Sequence, residues 1–160
     1  VEVFSMFKEM IKINKAMDDK DIFALLERGQ EGTLATIGEN GYPYCTTLNY
    51  VYYNDAIYFH CAPVGHKLDN INFNNKVCFS IVDNIEVLSK TFTTKFESVV
   101  IFGKAENIEE EKEKKAVLLK FIEKYSSDFM EEGKNYIDKA FSKANIIKIS
   151  IDHITGKCKK

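Results

Sequence analysis

Tyr58-Phe59-His60-Cys61-Ala62-Pro63-Val64-Gly65-His66-Lys67-Leu68-Asp69-Asn70 passes from a strand, through a short Pro/Gly loop, into the opening of a helix. Its first residues are aromatic and apolar, as a half-buried strand requires. Pro63 and Gly65 punctuate the run, and His66 and Lys67 open the helix. Backbone amides at a helix start lack intrahelical acceptors and favour an anion. Gly65 lets that backbone approach a ligand closely, and Lys67 adds a full positive charge. The pattern describes a phosphate seat. A first-turn lysine is also often simply solvated, and these residues alone leave both readings open.

Upstream, Asp18 to Arg28 forms a helix with Ile22, Phe23, Leu25 and Leu26 on its apolar side. Asp18 caps the free amides, Asp21 adds charge at the positive end, and Gly29 supplies a left-handed stop. From Gly32 to Asp83 the period becomes strand-like. Thr33 to Ile37, Tyr42 to Tyr53 and Ile57 to Cys61 are strands, with tight turns at Asn40-Gly41 and Asn54-Asp55. In the second of these, Tyr44, Thr46, Leu48, Tyr50 and Tyr52 share a face. Gly65 to Asn72 makes one or two helical turns, and Val77 to Val82 and Ser98 to Phe102 add two strongly apolar strands.

Downstream, Asn107 to Tyr125 is the strongest helix. Asn107 with Glu110 resembles a capping box, and Val117, Leu118, Phe121, Ile122 and Tyr125 form its buried stripe. A shorter helix covers Asn135 to Phe141, and Ile146 to Ile151 is the last strand. The fold class is therefore mainly β with flanking helices. Short antiparallel strands of this kind favour a closed or nearly closed barrel, because closure removes exposed edges. Strictly alternating βα units, a GxGxxG run and a Walker motif are all missing, which argues against a doubly wound nucleotide fold.

The 160 residues predict one domain, 1–160, and 45% hydrophobic with 29% charged residues is an ordinary globular balance. A net charge of −2, with lysines scattered among glutamates, argues against nucleic-acid binding. The apolar stretches are too short to cross a bilayer, and no signal-peptide pattern opens the chain. Cys45, Cys61, Cys78 and Cys158 contain no CxxC pair and are read as buried, reduced thiols without a metal. A cytoplasmic location is the expectation.

Two further groups carry candidate chemistry. Strand alternation puts His60 alongside Tyr58, as a hydrogen-bonded structural group or as the lining of a ligand cavity. Tyr44 to Tyr50 is rich in hydroxyls, aromatics and an amide. Its backbone, with Thr47 and Asn49, suits the wall and edge donors that a flat flavin needs. Plain β-propensity explains the same composition.

Together these runs resemble the FMN-binding split-barrel superfamily, the pyridoxamine 5′-phosphate oxidase-like proteins, and within it the nitroimidazole-resistance branch. The resemblance rests on Gly32-Thr33-Leu34-Ala35-Thr36, Gly41-Tyr42-Pro43-Tyr44, Tyr58-Phe59-His60 and Gly65 to Ile71. Phe96 to Glu106 and His153-Ile154-Thr155-Gly156-Lys157 also match. It implies an antiparallel split β-barrel, paired as a homodimer, with FMN in clefts between subunits. Thr46, Thr47, Leu48 and Asn49 would run along the flavin ring. His60, His66 and Lys67 would surround the ribityl phosphate, Phe59 would also contact the cofactor, and Ser98 would reach the flavin from the partner.

The departure lies in the arginines. Pyridoxamine phosphate oxidases hold a second phosphate with arginines, whereas this chain has one, Arg28, at the end of its first helix. The expected function is an FMN-dependent oxidoreductase between a small-molecule electron donor and a small acceptor such as a nitroaromatic. His60 is the candidate for proton delivery. The alternatives are a non-catalytic flavin-binding protein, or a haem-binding split barrel with His60 or His66 as ligand.

Overall fold

A computed structural model describes residues 6–140 and 144–159 of the chain. Its order is α1 (Asp19–Arg28), β1 (Glu31–Ile37), β2 (Pro43–Asn49), β3 (Val51–Tyr53), β4 (Ala56–Cys61), α2 (His66–Phe73) and β5 (Lys76–Leu88). Then follow β6 (Thr93–Asn107), α3 (Glu111–Tyr125), α4 (Met130–Ala140) and β7 (Asn145–Lys159). All seven strands join one antiparallel sheet in the order β2-β1-β5-β6-β7-β4-β3. The architecture is a split barrel. Its two edge strands, β2 and β3, are consecutive in sequence, so the chain crosses from one edge of the sheet to the other at Tyr50.

Tyr125 bridges that crossing. Its hydroxyl accepts from the Tyr50 amide at 3.1 Å and lies 2.7 Å from the Gln30 carbonyl and 2.6 Å from the Tyr50 carbonyl. Lys124 Nζ donates to the same Tyr50 carbonyl at 3.2 Å and lies 4.2 Å from the centre of the Tyr50 ring. Burial pulls the Lys124 amine down to about 8. The Tyr50 side chain is fully buried and donates to the Leu26 carbonyl at 2.8 Å, tying the crossing to α1.

The apolar faces of the strands meet inside the barrel around Leu34, Phe59, Phe79, Ile101 and Ile149, with Leu25 and Leu26 of α1 closing it. Burying a side chain of this size contributes about 1.5–3 kcal/mol. A second cluster lies outside, where Tyr58 and Ile146 pack against Val117 and Phe121 of α3. Tyr58 donates to Glu113 at 2.8 Å, and Lys148 pairs with the same carboxylate at 3.3 Å. Burial, then that hydrogen bond, raises the phenol's pKa.

The expected turns form: Asn54 and Asp55 both have positive φ (46° and 56°), the geometry of a two-residue hairpin turn. Several expectations need correction. Gly29 ends α1 with φ −59°, so it is no left-handed stop; a Cβ there would sit 2.6 Å from the Tyr50 hydroxyl, and close packing is what requires glycine. The strand expected over Tyr42 to Tyr53 breaks at the crossing. The cap of α3 is Glu110, whose carboxylate accepts from the amides of Lys112 and Glu113; Asn107 ends β6 instead. α4 starts at Met130, and the expected end at Phe141 lies outside the described residues. The apolar segments Val77 to Val82, Ser98 to Phe102 and Ile146 to Ile151 are only parts of 13-, 15- and 15-residue strands. Beyond a bulge between Asp83 and Glu86, both faces of β5 are solvated and no alternation marks the strand. The four thiols are free but not buried: Cys45 is exposed and the others are half-buried.

Candidate functional site

α2 opens without a side-chain cap, after Gly65 at φ 146° and ψ 162°. A side chain rarely adopts that backbone, and a Cβ there would meet nothing within 4 Å. The Gly65 carbonyl accepts from Leu68 and Asp69, whereas the His66 and Lys67 amides precede the first intrahelical bonds. Open space, free amides and the half-buried Lys67 therefore coincide at one point.

The His66 ring lies 4.1 Å from the Tyr44 ring of β2, which joins this helix start to the edge strand. Along β2, Thr46 and Leu48 are half-buried while Cys45, Thr47 and Asn49 face solvent. Thr47 Oγ1 lies 3.5 Å from Thr33 Oγ1, and Asn49 Nδ2 donates to the Gln30 carbonyl at 3.0 Å. The outer edge of β2 has no strand partner among the described residues. A flat ligand laid along this strand thus meets exposed backbone, two side chains with donors, and a helix start at one end.

What holds α2 in place was not legible from its own sequence. Asn70 is buried and its Nδ2 donates to the buried Thr36 hydroxyl at 3.0 Å. Asn70 also covers Gly38, where a Cβ would collide with Oδ1. A cavity of about 490 Å³ lies beside this anchor, lined by Glu39, His66, Asp69, Asn70 and Phe73 among others. Its two carboxylates, Glu39 and Asp69, disfavour an anion inside it.

The remaining expected residues stand elsewhere. Phe59 is fully buried in the barrel, so only its backbone is within reach of a ligand. His60 projects from β4 toward the helices and packs edge-on against Phe121, with ring centres 4.9 Å apart. It lines a cavity of about 350 Å³ that contains neither His66 nor Lys67. The residue remains exposed on one side, and partial desolvation by its surroundings lowers the ring's pKa. Ser98 lies on β6 between Val82 and Lys157, donating to the Lys157 carbonyl at 3.4 Å. Sequence reasoning also missed an apolar cavity of about 530 Å³ on the outer sheet face between Ile37, Pro43, Val77, Cys78 and Phe102. Phe7 covers its rim, stacked on His153 at 4.6 Å. Burial raises the pKa of the Cys78 thiol. No cluster of three potential metal ligands occurs among the described residues.

The chain is thus a single antiparallel split barrel with an uncapped helix start beside its edge strand. Residues 18–158 match the model of the pyridoxamine 5′-phosphate oxidase family, and the chain belongs to that family. No curated protein matches it by sequence. A candidate 5-nitroimidazole antibiotic resistance protein from Bacteroides thetaiotaomicron is similar at 26% identity and TM-score 0.77, covering 89% of this chain and 86% of that one. A conserved hypothetical protein from Mycobacterium tuberculosis is 22% identical at TM-score 0.79, over 94% and 90% of the two chains. A flavocytochrome from Azotobacter vinelandii shares the fold at 19% identity and TM-score 0.79, over 95% and 72%. No described helix is long and apolar enough to cross a membrane.

Proposed function

We propose that the chain binds FMN, and that as a homodimer it passes electrons from a small reduced donor to a small acceptor such as a nitroaromatic. The observation that carries this reading is the contact of His66 with Tyr44, which sets the open amide end of α2 against the unpaired edge of β2. The His66 and Lys67 amides and the Lys67 ammonium would hold the phosphate. Thr46, Thr47, Leu48 and Asn49 would border the ring, their backbone and side chains supplying its edge hydrogen bonds. When bound, the flavin supplies the capacity to accept and release electrons. The chain's part is to hold it at a fixed angle, shield one side and set local polarity.

A second copy is part of the proposal because β5 and the turn leading into β6 leave large apolar side chains uncovered. Val82, Ile85, Val87 and Phe92 are 51%, 65%, 73% and 97% exposed, and such a ribbon gains most by covering a partner. Ser98 of β6 would then serve the partner's site. The free thiols fit a reducing, cytoplasmic setting. His60 is left out as proton donor, because its ring turns into the cavity under α3 and α4. Oxidation of pyridoxamine phosphate is left out too, for Arg28 is held by Asp83 and Glu97 and cannot grip a second phosphate.

The test is an absorption titration of the purified protein with FMN, followed by addition of reduced nicotinamide and a nitroaromatic. Saturable flavin binding with acceptor-dependent oxidation of the nicotinamide above the free-FMN rate supports the reading. Binding without that turnover identifies a flavin carrier, and a Soret band on adding haem with no flavin binding identifies a haem protein.

A further inference from the structure

The cavity between β4 and the helix pair α3–α4 has no part in the flavin reading. Its volume of about 350 Å³ falls within the range of small-molecule sites and exceeds an ordinary packing defect. Leu118, Phe121 and Ile122 form the α3 wall, and Tyr136 and Ile137 the α4 wall. Gly133 sets how closely the helices approach: a Cβ there would sit 2.5 Å from the Ile122 side chain. None of the described lining residues carries a fixed charge.

The Cys61 thiol, the Tyr136 hydroxyl and the His60 ring interrupt this apolar surface, and His60 is the one among them that can both accept and donate through a ring nitrogen. His60 has no hydrogen-bond partner among the described residues, and its flank rests on Phe121. Desolvation favours its neutral form, in which one nitrogen accepts and the other donates. The cavity therefore offers an uncharged apolar volume with a hydrogen-bonding ring on its wall. An anion or cation entering it would lose hydration without a counter-charge. A small neutral aromatic with one hydroxyl loses little, and gains apolar contact plus a hydrogen bond to the imidazole.

We propose that this cavity is a second ligand site, separate from the flavin edge, which takes a small uncharged aromatic alcohol of the phenol type with its hydroxyl on His60. The proposal does not depend on flavin binding, so the two readings fail separately.

The test uses 4-ethylphenol, ethylbenzene and 4-ethylbenzoate as probes on the full chain, with and without added FMN. Binding is followed by calorimetry and by the His60 ring signals in a carbon–proton correlation spectrum. Saturable shifts of His60 with 4-ethylphenol are expected, with affinity about five- to tenfold above ethylbenzene and none for the benzoate. The order should be the same with FMN present. In His60→Phe the preference for the phenol should vanish while ethylbenzene still binds. Leu118→Trp should block both. Absence of saturable His60 shifts in the wild-type protein overturns the proposal even if neither variant folds. An unchanged phenol preference in folded His60→Phe also overturns it.

Discussion

Replacing Tyr125 by Phe removes one oxygen from the place where the barrel is split. That oxygen accepts from the Tyr50 amide at 3.1 Å and lies within hydrogen-bond reach of the Gln30 and Tyr50 carbonyls. The losses are unequal. The Tyr50 carbonyl keeps Lys124 Nζ, and the Gln30 carbonyl keeps Asn49 Nδ2. The Tyr50 amide, at a residue with a fully buried side chain, keeps nothing. Leaving a buried donor unsatisfied costs about 1–3 kcal/mol, and the ring of phenylalanine still fills the space. About 2 kcal/mol is the expected loss, which for a chain of this size lowers Tm by about 4–8 °C. Because β2 ends one residue before Tyr50, the loosened crossing should also free Asn49 and weaken FMN binding. Thermal unfolding measures the first effect, and hydrogen exchange at the Tyr50 amide localises it. A Tm within 1 °C of wild type, with Tyr50 protection unchanged, would refute the view that this hydroxyl holds the split together.

Three other substitutions probe the site and its supports. Gly65→Ala forces a side chain onto φ 146°, a strain of about 1–3 kcal/mol; scanning calorimetry should record the loss, and FMN titration a weaker phosphate grip, with no steric clash to explain either. Asn70→Ala leaves the Thr36 hydroxyl without its donor and should cost about 1–3 kcal/mol by denaturant unfolding, while loosening α2 enough to lower FMN affinity. His60 gives a pH signature. Its folded pKa lies below the unfolded value of about 6.5, so its contribution is complete above that pH and is lost as pH falls through the folded value. Wild-type Tm should therefore drop more than that of His60→Phe between pH 7.5 and pH 5, and parallel drops would count against a desolvated ring.

The sequence marks local devices well and distant contacts poorly, for a physical reason. Asp18 as a cap, the Asn54-Asp55 turn and the helix start after Gly65 each depend on neighbours within a few residues, and each stands where residue chemistry puts it. Gly29 illustrates the limit. Its glycine signal is real, but its cause is the Tyr50 hydroxyl 21 positions later in the chain, not a turn of its own. The Tyr125 contact spans 75 residues, and no periodicity encodes it. The outer end of β5 escaped because a strand solvated on both faces loses the alternation that burial imposes, and Gly103 to Glu106 of β6 escaped because its buried positions are only Gly103 and Ala105, too small to give an apolar signal. Within the site, Gly65 and Lys67 were legible as a helix terminus. Tyr44 against His66, and Thr36 under Asn70, required the sheet to fold first. His60 was read onto the same face as Tyr58, and the structure keeps it there; what the strand pattern omitted is that α3 covers that face.

Comparative titration of FMN and riboflavin into wild-type protein and Lys67→Ala, followed by quenching of flavin fluorescence, bears most directly on the phosphate seat. One FMN per chain should bind, and riboflavin more weakly. Loss of a charge-assisted contact to the phosphate should weaken FMN about 10- to 100-fold and leave riboflavin unchanged. Equal affinity for the two flavins in the wild-type protein, or no saturable quenching at all, would contradict the account.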